Sequence, residues 1–260
     1  MSFPFCCIHC KEKVVKKTKP SISMISFKQI MGGALCFTDC YRDENVVPDR
    51  KILILGLTGA GKTTILMKIK GEENVIIEPT EGYNVIAMEY DNQNFNFWDL
   101  GGGKTRELWP HYYMETSGII FVVDGKSLGN SFITEVEELG KILEHKSLLD
   151  CQYILVLLNK QDMAMKKLTQ NLRVKGSTLQ KFCNAFVKIG TVLEESEVQH
   201  IDDERAAVST QRKKYVFQSK DGNTVKEFCI QTCSATRQSG ISSGINWLIR
   251  NCNRKNIILY

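Results

Sequence analysis

The sequence predicts a three-layer α/β fold, in which helices cover both faces of a mostly parallel six-stranded sheet and one antiparallel hairpin forms an edge. Short apolar segments alternate with helical stretches, notably residues 128–145, and uniformly apolar strands are typical of a parallel sheet that is covered on both faces. The segment Asp91-Asn-Gln-Asn94 has the composition of a turn and predicts the hairpin. The six predicted strands are residues 51–55, 85–90, 95–100, 119–124, 153–159 and 228–232.

The first strand is followed by Gly56-Leu-Thr-Gly-Ala-Gly-Lys-Thr63, which has the G-x-x-x-x-G-K-T spacing of a phosphate-binding loop. A helical stretch begins at its end, so backbone N–H groups and the positive end of the helix should meet one anion. Lys62 should reach the terminal phosphates, and the Thr63 hydroxyl should ligate Mg²⁺. A plain glycine turn is the alternative. The predicted phosphate contacts are Gly56, Thr58, Gly59, Ala60, Gly61, Lys62, Thr63 and Thr64.

Two further segments fit a magnesium phosphate. Thr80, in Pro79-Thr-Glu-Gly82, lies in the loop before the hairpin, and its hydroxyl is predicted to complete the Mg²⁺ shell opposite Thr63. Asp99, in Trp98-Asp-Leu-Gly-Gly102, ends an apolar strand, where a carboxylate faces the ligand crevice and holds Mg²⁺ through water. Gly102 should offer its N–H to a γ-phosphate.

The segment Asn159-Lys-Gln-Asp162 predicts which base is bound. Asp162 can accept both N1–H and N2–H of guanine, a pairing that adenine does not offer, so an ATP-using enzyme is disfavoured. Asn159 should bridge guanine and the phosphate loop, while the Lys160 stem should lie over the base. In Cys233-Ser-Ala235, after the last strand, we expect Ser234 and Ala235 to bring a backbone N–H to guanine O6.

These segments, with Leu108-Trp-Pro-His-Tyr112 and Trp247-Leu248, resemble the Arf and Arf-like family of small GTPases over roughly residues 50–252. The forms Pro-Thr-x-Gly and Trp-Asp-x-Gly-Gly are those of Arf relatives rather than of Ras or Rab relatives. The N-terminal cysteine pair and the Gly-Gly-Gly at 101–103 resemble the cilia-associated Arf-like branch.

The resemblance implies a P-loop small-GTPase fold, GTP/GDP and Mg²⁺ as cofactors, and a switch mechanism. GTP would order two loops, around Thr80 and around residues 102–113, and GDP would release them. Exchange factors, GTPase-activating proteins and effectors are the expected partners. The exposed aromatic residues that contact effectors would be Tyr83, Trp98 and Tyr112, with ordinary packing as the alternative.

Gly103 departs from the family pattern, which places a glutamine there to orient the attacking water. The segment between Gly103 and Trp109 is also one residue shorter than the family's. Glycine cannot position water, so we expect slow intrinsic hydrolysis and assign no catalytic residue; whether the chain is an enzyme stays open. His111 is expected to be a surface residue rather than a substitute. The alternative function is a GTP-binding adaptor without meaningful hydrolysis.

A second departure is an insertion at about residues 176–226, since Asp162 and Cys233 lie much further apart than the family requires. An amphipathic helix is predicted at 179–189. The mixed charges from Glu194 to Lys214 favour a mobile loop. This loop could tune nucleotide exchange, bind a partner or simply be solvated.

Residues 1–49 form a predicted extension outside the GTPase domain of 50–252, and 253–260 a short tail. The net charge is +5, and +4 of it lies in the first twenty residues, which argues against a nucleic-acid surface. A run of lysines directly follows Cys6, Cys7 and Cys10, a composition that favours S-palmitoylation on an anionic membrane. There are three alternatives. The tail could be unmodified, or Cys7 and Cys10 could bind zinc together with Cys36 and Cys40. Translation could also begin at Met31 and expose Gly32 for N-myristoylation.

The ten cysteines show no secreted disulfide framework, and no apolar run reaches membrane-spanning length. We therefore expect a cytoplasmic protein that is peripheral on an intracellular, plasma or ciliary membrane. The resemblance implies a role in vesicular or ciliary trafficking, and we expect a monomer that binds no nucleic acid.

Overall fold

The computed structural model describes residues 49–72, 78–90, 93–126, 132–163, 177–201, 210–219, 222 and 224–254. The strands are β1 (Arg50–Leu55), β2 (Tyr83–Tyr90), β3 (Gln93–Leu100), β4 (Thr116–Asp124), β5 (Tyr153–Asn159), β6 (Thr191–Glu195), β7 (Gln199–Ile201), β8 (Thr210–Gln218) and β9 (Val225–Thr232). The longer α-helices are α1 (Lys62–Lys70), α2 (Phe132–Leu143), α3 (Thr178–Phe186) and α4 (Ile241–Arg254). Two 3-10 helices span Lys104–Tyr112 and Lys146–Leu148.

Within these residues the strands form one nine-stranded sheet in the order β2-β3-β1-β4-β5-β9-β8-β6, with β7 also paired to β8. The neighbours from β3 to β9 are parallel. β2 and β3 pair antiparallel at the edge, with Tyr90 opposite Gln93. The predicted fold class and its edge hairpin are therefore confirmed. The predicted strand number of six is wrong, because β6, β7 and β8 extend the sheet beyond β9.

The three additional strands also correct the prediction of a mobile loop between Glu194 and Lys214. β8 pairs antiparallel with β9 on one side and with β6 and β7 on the other. Along β8 the alternate side chains of Tyr215 and Phe217 are buried in the apolar core of the protein. The charged side chains of this region occupy partly or fully exposed positions. Mixed charge is thus the pattern of a half-exposed antiparallel extension here. Residues 202–209 of the predicted loop lie outside the described residues.

Side chains alternate along the central strands and fill two apolar layers. Leu53 and Leu55 of β1 face one layer, which α2 and α3 cover. Ile52 and Ile54 face the other layer, which α1 and α4 cover. Helices thus lie on both faces, as the sequence predicts. No helix in the described part of the chain is long and apolar enough to cross a membrane.

The predicted amphipathic helix at 179–189 corresponds to α3, which begins at Thr178 and is capped by the Ser177 hydroxyl. The predicted boundaries of the extension, the insertion and the tail stay predictions. Cys6, Cys7, Cys10, Cys36 and Cys40 lie outside the described residues.

An aromatic cluster joins α3 to the additional strands. The Phe186 ring is buried, with ring centroids 4.8 Å from Phe228, 4.9 Å from Phe217 and 5.4 Å from Tyr215. Helix, β8 and β9 therefore share one packing contact, so the extension is part of the core rather than an appendage.

Replacing Phe186 with alanine should lower the free energy of unfolding by about 3–5 kcal/mol, because a large cavity would remain among three aromatic rings. Val187→Ala, at the partly exposed neighbouring position, should cost less than about 1 kcal/mol. Urea unfolding of both variants measures the difference. Equal losses would show that α3 does not hold the extension in place.

Candidate nucleotide-binding site

The predicted site residues meet at one edge of the sheet, where the parallel strands end. Gly56 follows β1, Asp99 lies near the end of β3, Asn159 ends β5 and Ser234 follows β9. Parallel strands place their carboxyl ends together, and ligands of open α/β sheets bind at that edge. The fold therefore brings together segments that are far apart in the sequence.

The loop after β1 closes around the Lys62 ammonium. Lys62 Nζ donates to the carbonyl oxygens of Gly56 at 2.9 Å and Leu57 at 3.2 Å. Burial lowers the pKa of the ammonium, and the Asp99 charge opposes that shift. Gly56 has φ 141° and no room for a Cβ against Val122, and Gly61, at φ 96°, precedes the first turn of α1. The loop backbone thus has the strained, glycine-dependent conformation that a phosphate cradle needs.

Three oxygen-bearing side chains converge beside this loop. The Thr63 hydroxyl donates to Asp99 Oδ2 at 2.7 Å and lies 2.9 Å from the Thr80 hydroxyl, which is 3.4 Å from the same carboxylate atom. Asp99 Oδ1 is buried and has no hydrogen-bond partner among the described residues. Burial raises the pKa of Asp99 above its usual value, and the Thr63 hydrogen bond and the Lys62 charge offset only part of that rise. Two hydroxyls and a carboxylate fit Mg²⁺, which prefers hard oxygen ligands.

Asn159 joins the segment after β5 to both neighbouring loops. Its Nδ2 donates to the Ala60 carbonyl at 3.0 Å, and its Oδ1 accepts from the Ala235 backbone N–H at 3.0 Å. The side chain is 1% exposed. The segment predicted to bind the base therefore lies directly against the phosphate loop.

Lys160 ties the same segment to β4. Its backbone has φ 62°, and its Nζ donates to the Gly59 carbonyl at 2.6 Å and to Asp124 Oδ2 at 2.8 Å. Sequence reasoning assigned no role to Asp124, although a carboxylate at the end of an apolar strand was the available signal.

Asp162 is oriented by the loop after β9. The Ser234 hydroxyl donates to Asp162 Oδ1 at 2.6 Å and also accepts from the Arg237 N–H at 3.2 Å. One carboxylate oxygen is thus fixed in place. The Ala235 N–H, which the sequence predicts to meet guanine O6, donates to Asn159 Oδ1 in this structure. The site therefore presents the Asp162 carboxylate as the acceptor for a guanine edge.

The glycines after β3 differ in what they tolerate. A Cβ on Gly102 would overlap the Gly56 carbonyl oxygen and lie 2.7 Å from the Leu57 carbonyl carbon, so only glycine fits at that position. A Cβ on Gly103 would meet only Thr58 Oγ1, at 3.3 Å, and Gly103 has φ −91°. Gly103 immediately precedes the 3-10 helix Lys104–Tyr112. The Trp109 Nε1–H connects this helix to the end of β3 by donating to the Gly101 carbonyl at 2.8 Å. His111 is exposed, as expected.

The predicted effector contacts form one aromatic surface. Tyr83 stacks on Trp98 with ring centroids 5.2 Å apart, and Tyr112 lies 5.4 Å from Tyr83 and 6.1 Å from Trp98. Lys51 Nζ covers Trp98 at 5.0 Å from the ring. Tyr83 is 49% exposed, whereas a packing aromatic is normally buried. Contact with effectors stays a prediction.

Comparison with known proteins agrees with this geometry. The model of the ADP-ribosylation factor family matches residues 42–198. ADP-ribosylation factor K of Dictyostelium discoideum is 35% identical over 209 residues, which cover 80% of this chain and 87% of that protein. The structure of the Arl6 BBS3 small GTPase from Trypanosoma brucei, with bound nucleotide analogue GppNp, superposes with a TM-score of 0.53. It is 20% identical and covers 80% of this chain and 99% of its own length, a likeness of fold.

Asp162→Asn should weaken GTP binding by about tenfold or more, because a charged acceptor facing two guanine N–H groups is lost. The amide can instead donate to the O2 of xanthine, so xanthosine triphosphate should bind this variant better than the wild type. Competition against labelled GTP measures both effects. Glu137→Gln, at an exposed position of α2, is the control and should change neither. Displacement of GTP from the wild type by equal ATP would contradict the guanine assignment.

Proposed function

The chain belongs to the ADP-ribosylation factor family of small GTPases, and from this premise we propose that it is an Mg²⁺-dependent GTP/GDP switch that works at a membrane and hydrolyses GTP slowly. Family membership itself implies guanine nucleotide binding, switching between two nucleotide states, and regulators and effectors of some kind. Magnesium dependence, membrane association, trafficking and slow hydrolysis are the proposed additions.

The observation that carries the nucleotide site is the double hydrogen bond of Asn159. One side chain holds the phosphate loop at Ala60 and the base loop at Ala235. A nucleotide spans the same two loops with its phosphates and its base. One buried amide therefore connects the loop proposed to bind the phosphates with the loop proposed to bind the base.

The residues beside the loop support magnesium dependence. Thr63, Thr80 and Asp99 would hold Mg²⁺, with Asp99 acting through water, and the ion would neutralise charge on the terminal phosphates. Lys62 adds a second cation that its own loop positions. Thr80 lies in one proposed switch loop, so a contact to the ion would order that loop only when the full phosphate chain is present.

The second proposed switch element is the segment from Gly102 to Tyr113. It begins beside Lys62, where Gly102 can approach a phosphate closely, and near its end it includes Tyr112 of the aromatic surface. A change at the phosphate end can therefore alter the surface formed by Tyr83, Trp98 and Tyr112. We propose this surface as the effector contact.

Slow hydrolysis is proposed because Gly103 carries no side chain where the family's glutamine orients water. Lys62 and the loop N–H groups still supply electrostatic stabilisation, so hydrolysis would be weakened rather than abolished. A partner that supplies an arginine would raise the rate. The second candidate, a GTP-binding adaptor that does not hydrolyse, rests on the same residue.

Gly103→Gln should accelerate single-turnover GTP hydrolysis by about tenfold or more, because an amide can then orient the attacking water. A Cβ at position 103 would meet only Thr58 Oγ1, at 3.3 Å, so a small shift of the Thr58 side chain would accommodate it. Gly103→Ala adds the Cβ without the amide and should leave the rate unchanged.

A wild-type rate equal to that of Gly103→Gln would contradict slow hydrolysis. Absence of hydrolysis in the wild type and both variants would favour the adaptor.

Membrane association is proposed from the sequence of the extension. Cys6, Cys7 and Cys10 are followed by five lysines within the first twenty residues. Acyl chains together with basic residues anchor a protein more firmly than one chain alone. We propose palmitoylation of these cysteines and a role in vesicular or ciliary trafficking on an intracellular, plasma or ciliary membrane. The resemblance of the N-terminal cysteine pair and Gly101–Gly103 to cilia-associated Arf-like proteins supports the ciliary location.

In cells, wild-type protein should label by acyl exchange and sediment with membranes. A variant with Cys6, Cys7 and Cys10 all replaced by serine should lose both the label and the membrane fraction, because the acylation sites are gone. Cys36→Ser combined with Cys40→Ser, which alters two cysteines of the same extension, should keep both. Unchanged labelling of the triple variant would remove the lipid anchor from the proposal.

A further inference from the structure

The extension of the sheet contacts the nucleotide site from the side of β9. β8 runs antiparallel to β9, with Arg212 opposite Gln231, so the start of β8 lies beside the end of β9. That end leads directly into the loop 233–240, which contains Ser234 and Ala235. Strands that the family resemblance did not predict therefore begin next to the loop that faces the base.

The first connection is a buried pair of hydroxyls. Thr210, the first residue of β8, has its Oγ1 3.1 Å from the hydroxyl of Ser239. Thr210 is 1% exposed and Ser239 is 0% exposed. Gly240, at φ 75°, packs against Thr210 so closely that a Cβ there would lie 3.0 Å from Oγ1. The contact is thus buried and sterically defined.

The second connection runs through the side chain of Gln231. Arg212 Nε donates to Gln231 Oε1 at 2.6 Å. Gln231 Nε2 in turn donates to the Gly240 carbonyl and, at 2.9 Å, to the Ser243 hydroxyl in the first turn of α4. β8 therefore contacts the end of the loop through two separate polar side chains.

The loop transmits these contacts to the residues that face the base. Ser234 and Ser239 pair through two backbone hydrogen bonds, of 3.0 and 3.1 Å, which close the loop. Ser234 then orients Asp162 through its hydroxyl. From Thr210 to Asp162 the path is a continuous series of hydrogen bonds through two serines.

We propose that β8 positions the base-binding loop through Thr210, and that this contact slows the release of guanine nucleotide. The proposal rests on the proposed function and adds Thr210 as a positioning residue that does not itself touch the nucleotide. For the base to leave, Ala235 and Asp162 must separate from it. A loop that is held at Ser239 opens less often, so the bound nucleotide stays longer.

The insertion thereby acquires a role in regulation. Any partner that displaces β8, or pulls on its outer neighbours β6 and β7, would loosen the same loop and speed exchange.

Thr210→Val tests the contact because valine keeps the shape of threonine and removes its hydroxyl. Labelled GDP should dissociate about fivefold faster or more from this variant in a chase with unlabelled GDP. Thr210→Ser restores the hydroxyl and should return the rate to that of the wild type. The matched control is Thr224→Val, which removes another buried hydroxyl, one that donates to Ser219 at 2.9 Å at the far end of the β8–β9 pair.

A second readout separates positioning from a general loss of stability. Inosine diphosphate lacks the 2-amino group that faces Asp162, so the wild type should release it faster than GDP. A loosened loop orients Asp162 less well, and the ratio of the two dissociation rates should move toward one in Thr210→Val but not in Thr224→Val. Where Thr210→Val does not fold, Ser239→Ala removes the same contact from the loop side and should give the same shift.

Equal GDP dissociation rates in Thr210→Val and Thr224→Val, or an unchanged rate ratio, would overturn the inference while leaving the proposed function standing. A wild-type chain that binds no labelled guanine nucleotide would overturn both.

Discussion

The structure of the site depends on the buried amide of Asn159. Its side chain donates to the Ala60 carbonyl and accepts from the Ala235 N–H, and so links the loops that follow β1 and β9. Because Asn159 itself ends β5, three strand ends are joined. A buried amide that lost one of these partners would retain the cost of an unsatisfied polar group, about 1–3 kcal/mol. The same contact forces glycine at position 61, because a Cβ there would overlap Asn159 Nδ2. The order of strands and the local conformation of the phosphate loop are therefore coupled through one side chain.

The additional strands extend the sheet of a family fold and share its core. β8 joins the sheet beside β9 and buries Tyr215 and Phe217 against Phe186, outside the run of parallel strands from β3 to β9. Its starting residue then lies at the ligand edge of the sheet, because an antiparallel neighbour begins where β9 ends. Contact with the base-binding loop thus follows from strand direction alone. An additional strand parallel to β9 would have begun at the opposite edge.

Sequence reasoning recovered the features that short segments determine locally. The loop around Lys62, the hairpin of β2 and β3, and the segment 159–162 each have a distinctive residue pattern. The strands of the extension were missed because Lys213 and Lys214 diluted the apolar alternation that continues through Tyr215 and Phe217, so charge outweighed periodicity. Contacts such as Thr210 with Ser239 could not be predicted, because they depend on strand register between distant segments.

Gly102 and Gly103 differ in their steric surroundings, and the difference matters for GTP hydrolysis. Position 102 requires glycine, since a side chain would collide with the backbone of Gly56 and Leu57 in the phosphate loop. Position 103 has φ −91° and ψ −128°, outside the common α and β regions, and a Cβ there would meet only the Thr58 hydroxyl oxygen, at 3.3 Å. No backbone clash of the kind found at position 102 therefore excludes a side chain at position 103. The phosphate loop, Lys62 and the oxygen atoms proposed to hold Mg²⁺ are all in place. Slow hydrolysis would therefore arise from the lack of a side chain that orients the attacking water, and nucleotide binding would be preserved.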